Sequence, residues 1–275
     1  MNIPQLGFTF DFVLQGLLAL SALHLARFDT SRREYYSAKS EWYWEMALRG
    51  AAATLADARL DSSNALYAFA ATSCFYTLAR GPKPGDLLVF ANAGTADWLV
   101  LFRGVRSLVE MSESRVLEGP LAPLSSHALR QLERHKDNAT AENRSTPLSE
   151  LQKHIDENSK DEPNFRTYKQ AVDSLAFCFS VVSAEEKLGR GMLAANFQAF
   201  LWLYRVSDDF VLCLQQQHAT AMVIYAHFVV LIKRLDWSWI IENWPNHLMS
   251  QVYESVDQSW RAWLRWPMEQ VGWRP

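Results

Sequence analysis

The sequence predicts an all-α protein, a single multi-helix bundle over residues 1–275, and three observations carry that expectation. Apolar residues recur at three- and four-residue spacing along most of the chain, and no stretch keeps the two-residue alternation of a half-buried strand. The breaks between apolar segments fall at glycine, proline or short polar clusters. One long polar stretch, 136–164, is expected to be a mobile linker inside the bundle rather than a domain boundary, because neither half has enough helices to cover its own apolar faces.

The first helix is marked by Phe12, Leu17, Leu20, Leu23 and His24 on one face, with Asp11 near its start and Arg27 near its end, both favourable to the helix dipole. Ser40 to Arg59 follows, with Trp44, Leu48, Ala51 and Leu55 apolar and Gly50-Ala51-Ala52-Ala53 permitting close approach of a neighbouring helix. Asp61-Ser62-Ser63-Asn64 offers N-cap candidates for a helix over Ala65 to Ala79. Gly81-Pro82-Lys83-Pro84-Gly85 then stops it, since the prolines lack backbone donors. Asp97 to Met111 restarts the pattern, and one helical turn is expected around Leu148 to Ile155 within the polar linker. Beyond the linker, helices are expected over Tyr168 to Val182, Met192 to Val206, Asp209 to Gln216, Thr220 to Lys233 or Leu235, Trp237 to Val256, and Gln258 to Trp266.

The formal net charge of −3 gives no basic field for phosphate contact, so no direct nucleic-acid contact is expected from this chain. Cys74, Cys178 and Cys213 each sit in an apolar run, as free thiols behaving like small hydrophobes do, which points to a reducing compartment. The stretch Phe8 to Leu25 lacks a basic leader and is interrupted by Asp11, Gln15, Ser21 and His24, so it reads as a core helix rather than a signal or transmembrane segment. Without secretion, the sequons at Asn138 and Asn143 have no glycan to receive.

The sequence carries no sharp catalytic or metal-binding signal. Asp208-Asp209 is similar to the opening of an aspartate-rich magnesium motif, but Val211, Leu212 and Cys213 stand where a further carboxylate is needed, so the pair reads as a helix start. The seven histidines form no HxxxH pair, and there is no Gly-x-Ser-x-Gly elbow and no phosphate-binding glycine loop. A lone histidine on an apolar helix, His24 or His227, reads as a hydrogen-bonded core or pocket residue; a general base at His227 or His247 lacks a placed partner. No catalytic residue, metal or cofactor is therefore assigned.

The aromatic content is concentrated instead. Six of the 11 tryptophans lie in Trp237–Leu248 and Trp260–Pro267. On a continuous helix Trp237 and Trp244 share a face, extended by Ile241 and Leu248. With Phe197, Phe200, Trp202, Phe210, Phe228, Trp260 and Trp263 this supplies flat apolar surface for a rigid lipophilic molecule, although an aromatic-rich core would look the same.

Several segments together carry a family resemblance: Leu17-Leu18-Ala19-Leu20-Ser21-Ala22-Leu23-His24-Leu25-Ala26, Asn64-Ala65-Leu66, Cys74-Phe75-Tyr76-Thr77-Leu78-Ala79, Phe102-Arg103-Gly104-Val105, Trp237 to Leu248, and Trp263-Leu264-Arg265-Trp266-Pro267. In order and spacing the chain resembles the C-terminal regulatory domain of fungal zinc-cluster transcription factors, the sterol uptake control type in particular. The resemblance implies an α-helical bundle with a sterol pocket formed by the C-terminal helices. Two features depart from it. The chain has no six-cysteine zinc cluster, so DNA contact would fall to an upstream segment or a partner, and Asn243 stands where many members have Gly, a change that would reshape or close the pocket.

The function expected is that of a transcriptional regulator's ligand-sensing domain. A lipophilic, sterol-like effector would lie between Ala219–Leu235 and Trp237–Val256, lined by Ile224, Phe228, Leu231, Trp239, Trp244 and Leu248. The partners implied are a second copy of the chain or other transcription proteins, and the location implied is the nucleus with shuttling from the cytoplasm. The alternative from another class is a secondary-metabolism enzyme that uses the bundle to fold a lipophilic intermediate for cyclisation. A docking module without any ligand is the third.

Overall fold

The computed structural model describes residues 3–56, 62–91, 94, 95, 99, 146–160, 162–187 and 200–275. Among these the fold is all-α, with eleven α-helices. The extended pairing is one antiparallel ladder of two-residue strands, β1 (Phe90–Ala91) and β2 (Gly94–Thr95), with Phe90 opposite Thr95 and Ala91 opposite Gly94. The described helices fall in two compact units, one up to Gly81 and one from Pro82 onward.

The first unit holds α1 (Ile3–Gly7), α2 (Asp11–Phe28), α3 (Arg33–Ala56) and α4 (Ser63–Ala79), with a 3-10 turn, Thr30–Arg32, between α2 and α3. The expected leucine face of α2 is not its buried face: Leu17, Leu20 and Leu23 are only partly covered and His24 is exposed, its ring against Phe28. Phe12 of the expected face is buried, and beside it Val13, Gly16, Ala19, Ala22 and Ala26. The small residues win because α3 lies close along α2 and offers its own small residues, Ala47 and Ala51, to the core. A Cβ added at Gly50 would stand 2.8 Å from that of Phe12, so the glycine sets how near the helices come. Of the expected α3 face, Ala51 is buried and Trp44 stacks on Tyr76 at 4.0 Å, whereas Leu48 and Leu55 are exposed. Ser40, also buried, donates to the Ala19 carbonyl at 2.8 Å and lies 3.2 Å from the Tyr76 hydroxyl, joining three helices through one side chain. Ser62 is the N-cap residue of α4 but makes no side-chain cap bond, and Gly81 follows the helix end with φ +79, in the left-handed region that suits glycine. By length and composition α2 is the one helix among the described residues apolar enough to cross a membrane; a third of it is buried inside the protein.

The second unit holds α5 (Thr146–Asn158), α6 (Phe165–Lys187), α7 (Leu201–Arg205), α8 (Asp208–Gln215), α9 (Ala219–Lys233), α10 (Trp244–Ser255), a 3-10 turn (Arg261–Leu264) and α11 (Arg265–Val271). The single turn expected around Leu148–Ile155 is a helix of 13 residues. Leu148, Leu151 and Ile155 fall at three- and four-residue spacing and are all buried, which gives this otherwise polar segment an apolar stripe to pack on α6. At α8, Ser207 caps the helix by accepting from the Phe210 amide at 3.2 Å, with Asp208 and Asp209 exposed in the first turn. The aspartates thus favour the dipole while the cap itself is Ser207.

Helix α9 is the axis of the unit. Every residue from Thr220 to Ile232 is buried, and α5, α6, α8, α10 and α11 all pack on it. A helix enclosed on all sides has no need of a polar face, and the sequence supplies none. The long helix expected over Trp237–Val256 is not formed. Residues 236–243 make successive turns, and α10 starts at Trp244 with Pro245 in its first turn. Proline lacks the amide an interior helical position must donate and suits the first turn, where no donor is required. Trp237 and Trp244 therefore do not share a helical face: Trp237 is 51% exposed and Trp244 is 3% exposed.

Candidate ligand site

Five of the six expected lining residues are buried in the second unit. Ile224, Phe228 and Leu231 recur at four- and three-residue spacing on α9, and Trp244 and Leu248 one turn apart on α10, which packs against α9. Trp239 lies in the turns between the helices and is half-buried. Asn243 is exposed at the start of α10, so its side chain fills no interior volume.

An aromatic layer surrounds this part of α9. Trp202 stacks on Phe228 at 4.7 Å, Tyr225 lies 5.5 Å from Phe228, and Phe210 meets Trp202 edge-on at 5.5 Å. The Trp202 indole donates to the Ala171 carbonyl at 2.9 Å, which fixes the ring to α6. Phe197 lies outside the described residues.

No Asp, Glu, Lys or Arg is found among the buried described residues. Burial pushes His227 down to about 4, so the ring is neutral; its Nδ1–H donates to the Val223 carbonyl at 2.9 Å, and the ring stacks on Trp266 at 5.3 Å. Burial also holds the Tyr225 phenol well above its usual range, as a donor. An ion placed among these buried residues would lose its hydration without gaining an oppositely charged partner.

Two donors on these helices do something that periodicity could not reveal. Tyr225 on α9 donates its hydroxyl hydrogen to the Leu87 carbonyl, and His247 on α10 approaches the Asp86 carbonyl through Nε2 at 2.9 Å. A carbonyl only accepts, so His247 carries its hydrogen on Nε2. Both carbonyls belong to the non-helical segment after the Gly-Pro break, where Leu87, Leu88 and Val89 are buried. The apolar run Leu87-Leu88-Val89-Phe90 was the available sequence signal; it is too short to show a period.

The three cysteines are free and buried, and burial pushes Cys74 and Cys178 up to about 12 and Cys213 upward as well, so none is an activated nucleophile. No group of three or more metal-ligating side chains occurs among the described residues. Phe102-Arg103-Gly104-Val105, the helix expected over Asp97–Met111 apart from Leu99, the sequons Asn138 and Asn143, and His127 and His135 lie outside the described residues.

Neither the curated proteins nor the solved structures give a significant match. Residues 3–138 match the model of the fungal specific transcription factor domain, a span that includes α1 to α4 and the segment 82–91 but not α9 or α10. Over that span the chain is similar to the regulatory domain of fungal transcription factors.

Proposed function

We propose that this chain is the effector-sensing part of a nuclear transcriptional regulator, and that a neutral lipophilic molecule of sterol-like shape binds between α9 and α10. The observation that carries the reading is the enclosed, uncharged, aromatic-lined interior around α9, with Ile224, Phe228, Leu231, Trp244 and Leu248 buried in it and Trp239 at its edge. Such an interior, mostly apolar with a few placed donors, is the usual chemistry of a small-molecule site. An effector with different affinity for two packings of these helices shifts their balance, and that shift alters the surface offered to a second copy or to other transcription proteins. The chain itself, at net charge −3, leaves DNA reading to a zinc-cluster segment or to a partner.

The test is a thermal titration with ergosterol. Ligand at 100 times its dissociation constant adds about 2.7 kcal/mol of stability to the bound state. Trp244→Ala is expected to weaken binding at least tenfold. If ergosterol leaves the melting temperature unchanged and no lipid copurifies, the chain is a docking module without a ligand.

A further inference from the structure

Loops seldom bury three consecutive residues, because their backbone groups then need partners that secondary structure does not provide. Leu87, Leu88 and Val89 are 3%, 1% and 0% exposed. Their segment is held from both helices of the candidate site: Tyr225 of α9 takes the Leu87 carbonyl and His247 of α10 the Asp86 carbonyl. Each donor stands beside an expected lining residue, Tyr225 next to Phe228 at 5.5 Å and His247 edge-on to Trp244 at 6.3 Å. Aliphatic groups enclosed by helices, with two neighbouring oxygens read by a phenol and an imidazole, are what a bound ligand would present.

The segment is also held in an uncommon backbone shape. Leu88 has φ +59, and the Val89 amide reaches back to the Leu87 carbonyl at 2.6 Å, a tight three-residue turn that non-glycine residues rarely adopt. Its outer end is defined by a second turn, in which the Asp86 amide donates to the Lys83 carbonyl at 3.0 Å and the Asp86 carboxylate accepts from the Lys83 amide at 2.9 Å. Strained backbone that persists only because its surroundings hold it is found where function needs a part to move.

We propose that Leu87–Val89 occupies the effector site as a built-in surrogate, and that the effector displaces it and takes over the hydrogen bonds of Tyr225 and His247. This rests on the effector reading above and narrows the ligand class to a neutral molecule with an aliphatic body and a carbonyl-type oxygen acceptor. Displacement frees the strap, and the freed strap distinguishes the bound state from the empty one.

The experiment compares progesterone, which bears ketones, with cholestane, which bears no oxygen, on the full chain, reading amide hydrogen exchange over residues 84–91. Progesterone is expected to bind at least tenfold more tightly than cholestane and to speed exchange at Leu88 and Val89 at least tenfold. In the double variant Leu88→Ser, Val89→Ser the internal competitor is weakened, and progesterone should bind roughly 10–100-fold more tightly, in proportion to the fraction of molecules whose site was closed. Tyr225→Phe keeps the ring and releases the Leu87 carbonyl, so exchange over 86–90 without ligand should rise several-fold even if the double variant does not fold. Unchanged exchange in Tyr225→Phe overturns the strap. Binding of progesterone with residues 84–91 unaffected overturns it too and leaves the effector reading standing. Absence of binding in both the parent and the double variant overturns both, whereas binding by the double variant alone supports the strap as the group that closes the site.

Discussion

Replacing Gly50 by alanine tests whether α2 and α3 are as close as their small residues imply. The new Cβ would lie 2.8 Å from the Cβ of Phe12, about 1 Å inside an ordinary carbon–carbon contact. A Cβ is fixed to the backbone, so the phenyl group cannot relieve the clash by turning. Phe12 is also gripped edge-on by Phe69 at 5.7 Å and by Phe10 at 5.9 Å. The helices must separate, and overpacking of this kind costs about 3 kcal/mol at the upper end of its usual range. Alanine returns about 1 kcal/mol in helix propensity, leaving a net loss of about 2 kcal/mol. In a chain of this size that lowers the melting temperature by roughly 4–8 °C. The assay is thermal unfolding by far-UV circular dichroism, with amide exchange in α2 as the local readout and Ala52→Gly on the exposed side of α3 as the control. The control loses about 1 kcal/mol of propensity and has no clash to add. A Gly50→Ala protein as stable as the parent, or more so, would falsify the close-packing argument.

Two further outcomes follow from the second unit. His227 has its native pKa depressed from 6.5 to about 4, so the unfolded chain binds more protons between those values. Stability is therefore fully present above about pH 6.5 and falls as pH drops toward 4, by on the order of 3 kcal/mol. In chemical denaturation across this range, His227→Phe should flatten that part of the profile, and an unchanged slope would show that other groups cause it. Ser207→Ala removes the cap bond to Phe210 and should cost about 1 kcal/mol in the same assay, while Asp209→Asn, which leaves that bond in place, should cost less.

The fold class was legible because helical periodicity survives wherever a helix has one buried face. It failed in two informative places. On α2 the eye goes to leucines, yet Gly16, Ala19, Ala22 and Ala26 are buried, because close approach selects for small side chains and the larger ones pack at the flanks. At Trp237–Trp244 the spacing fits one helical face, yet Pro245 fixes a helix start and sends Trp237 to the surface. The proline was visible and outranks the periodicity. The burial of Ile224, Phe228, Leu231, Trp244 and Leu248 was legible as an apolar pattern. Tyr225, His247 and the strap they hold were not, since hydrogen bonds spanning 138 and 161 residues leave no local trace.

The complete enclosure of α9 also sets a schedule for synthesis. Two of the elements that cover it, α10 and α11, follow it in the chain, so this apolar helix is synthesised before two of its covering helices exist. At about 5–20 residues per second, the stretch from Arg234 through Val271 takes roughly 2–8 s to appear. Until then the part of α9 that α10 and α11 cover is without those partners. Cellular yield of this protein will therefore depend on chaperone supply and translation speed over α10 and α11, and a stop codon just after α9 will produce an insoluble chain rather than a smaller folded one.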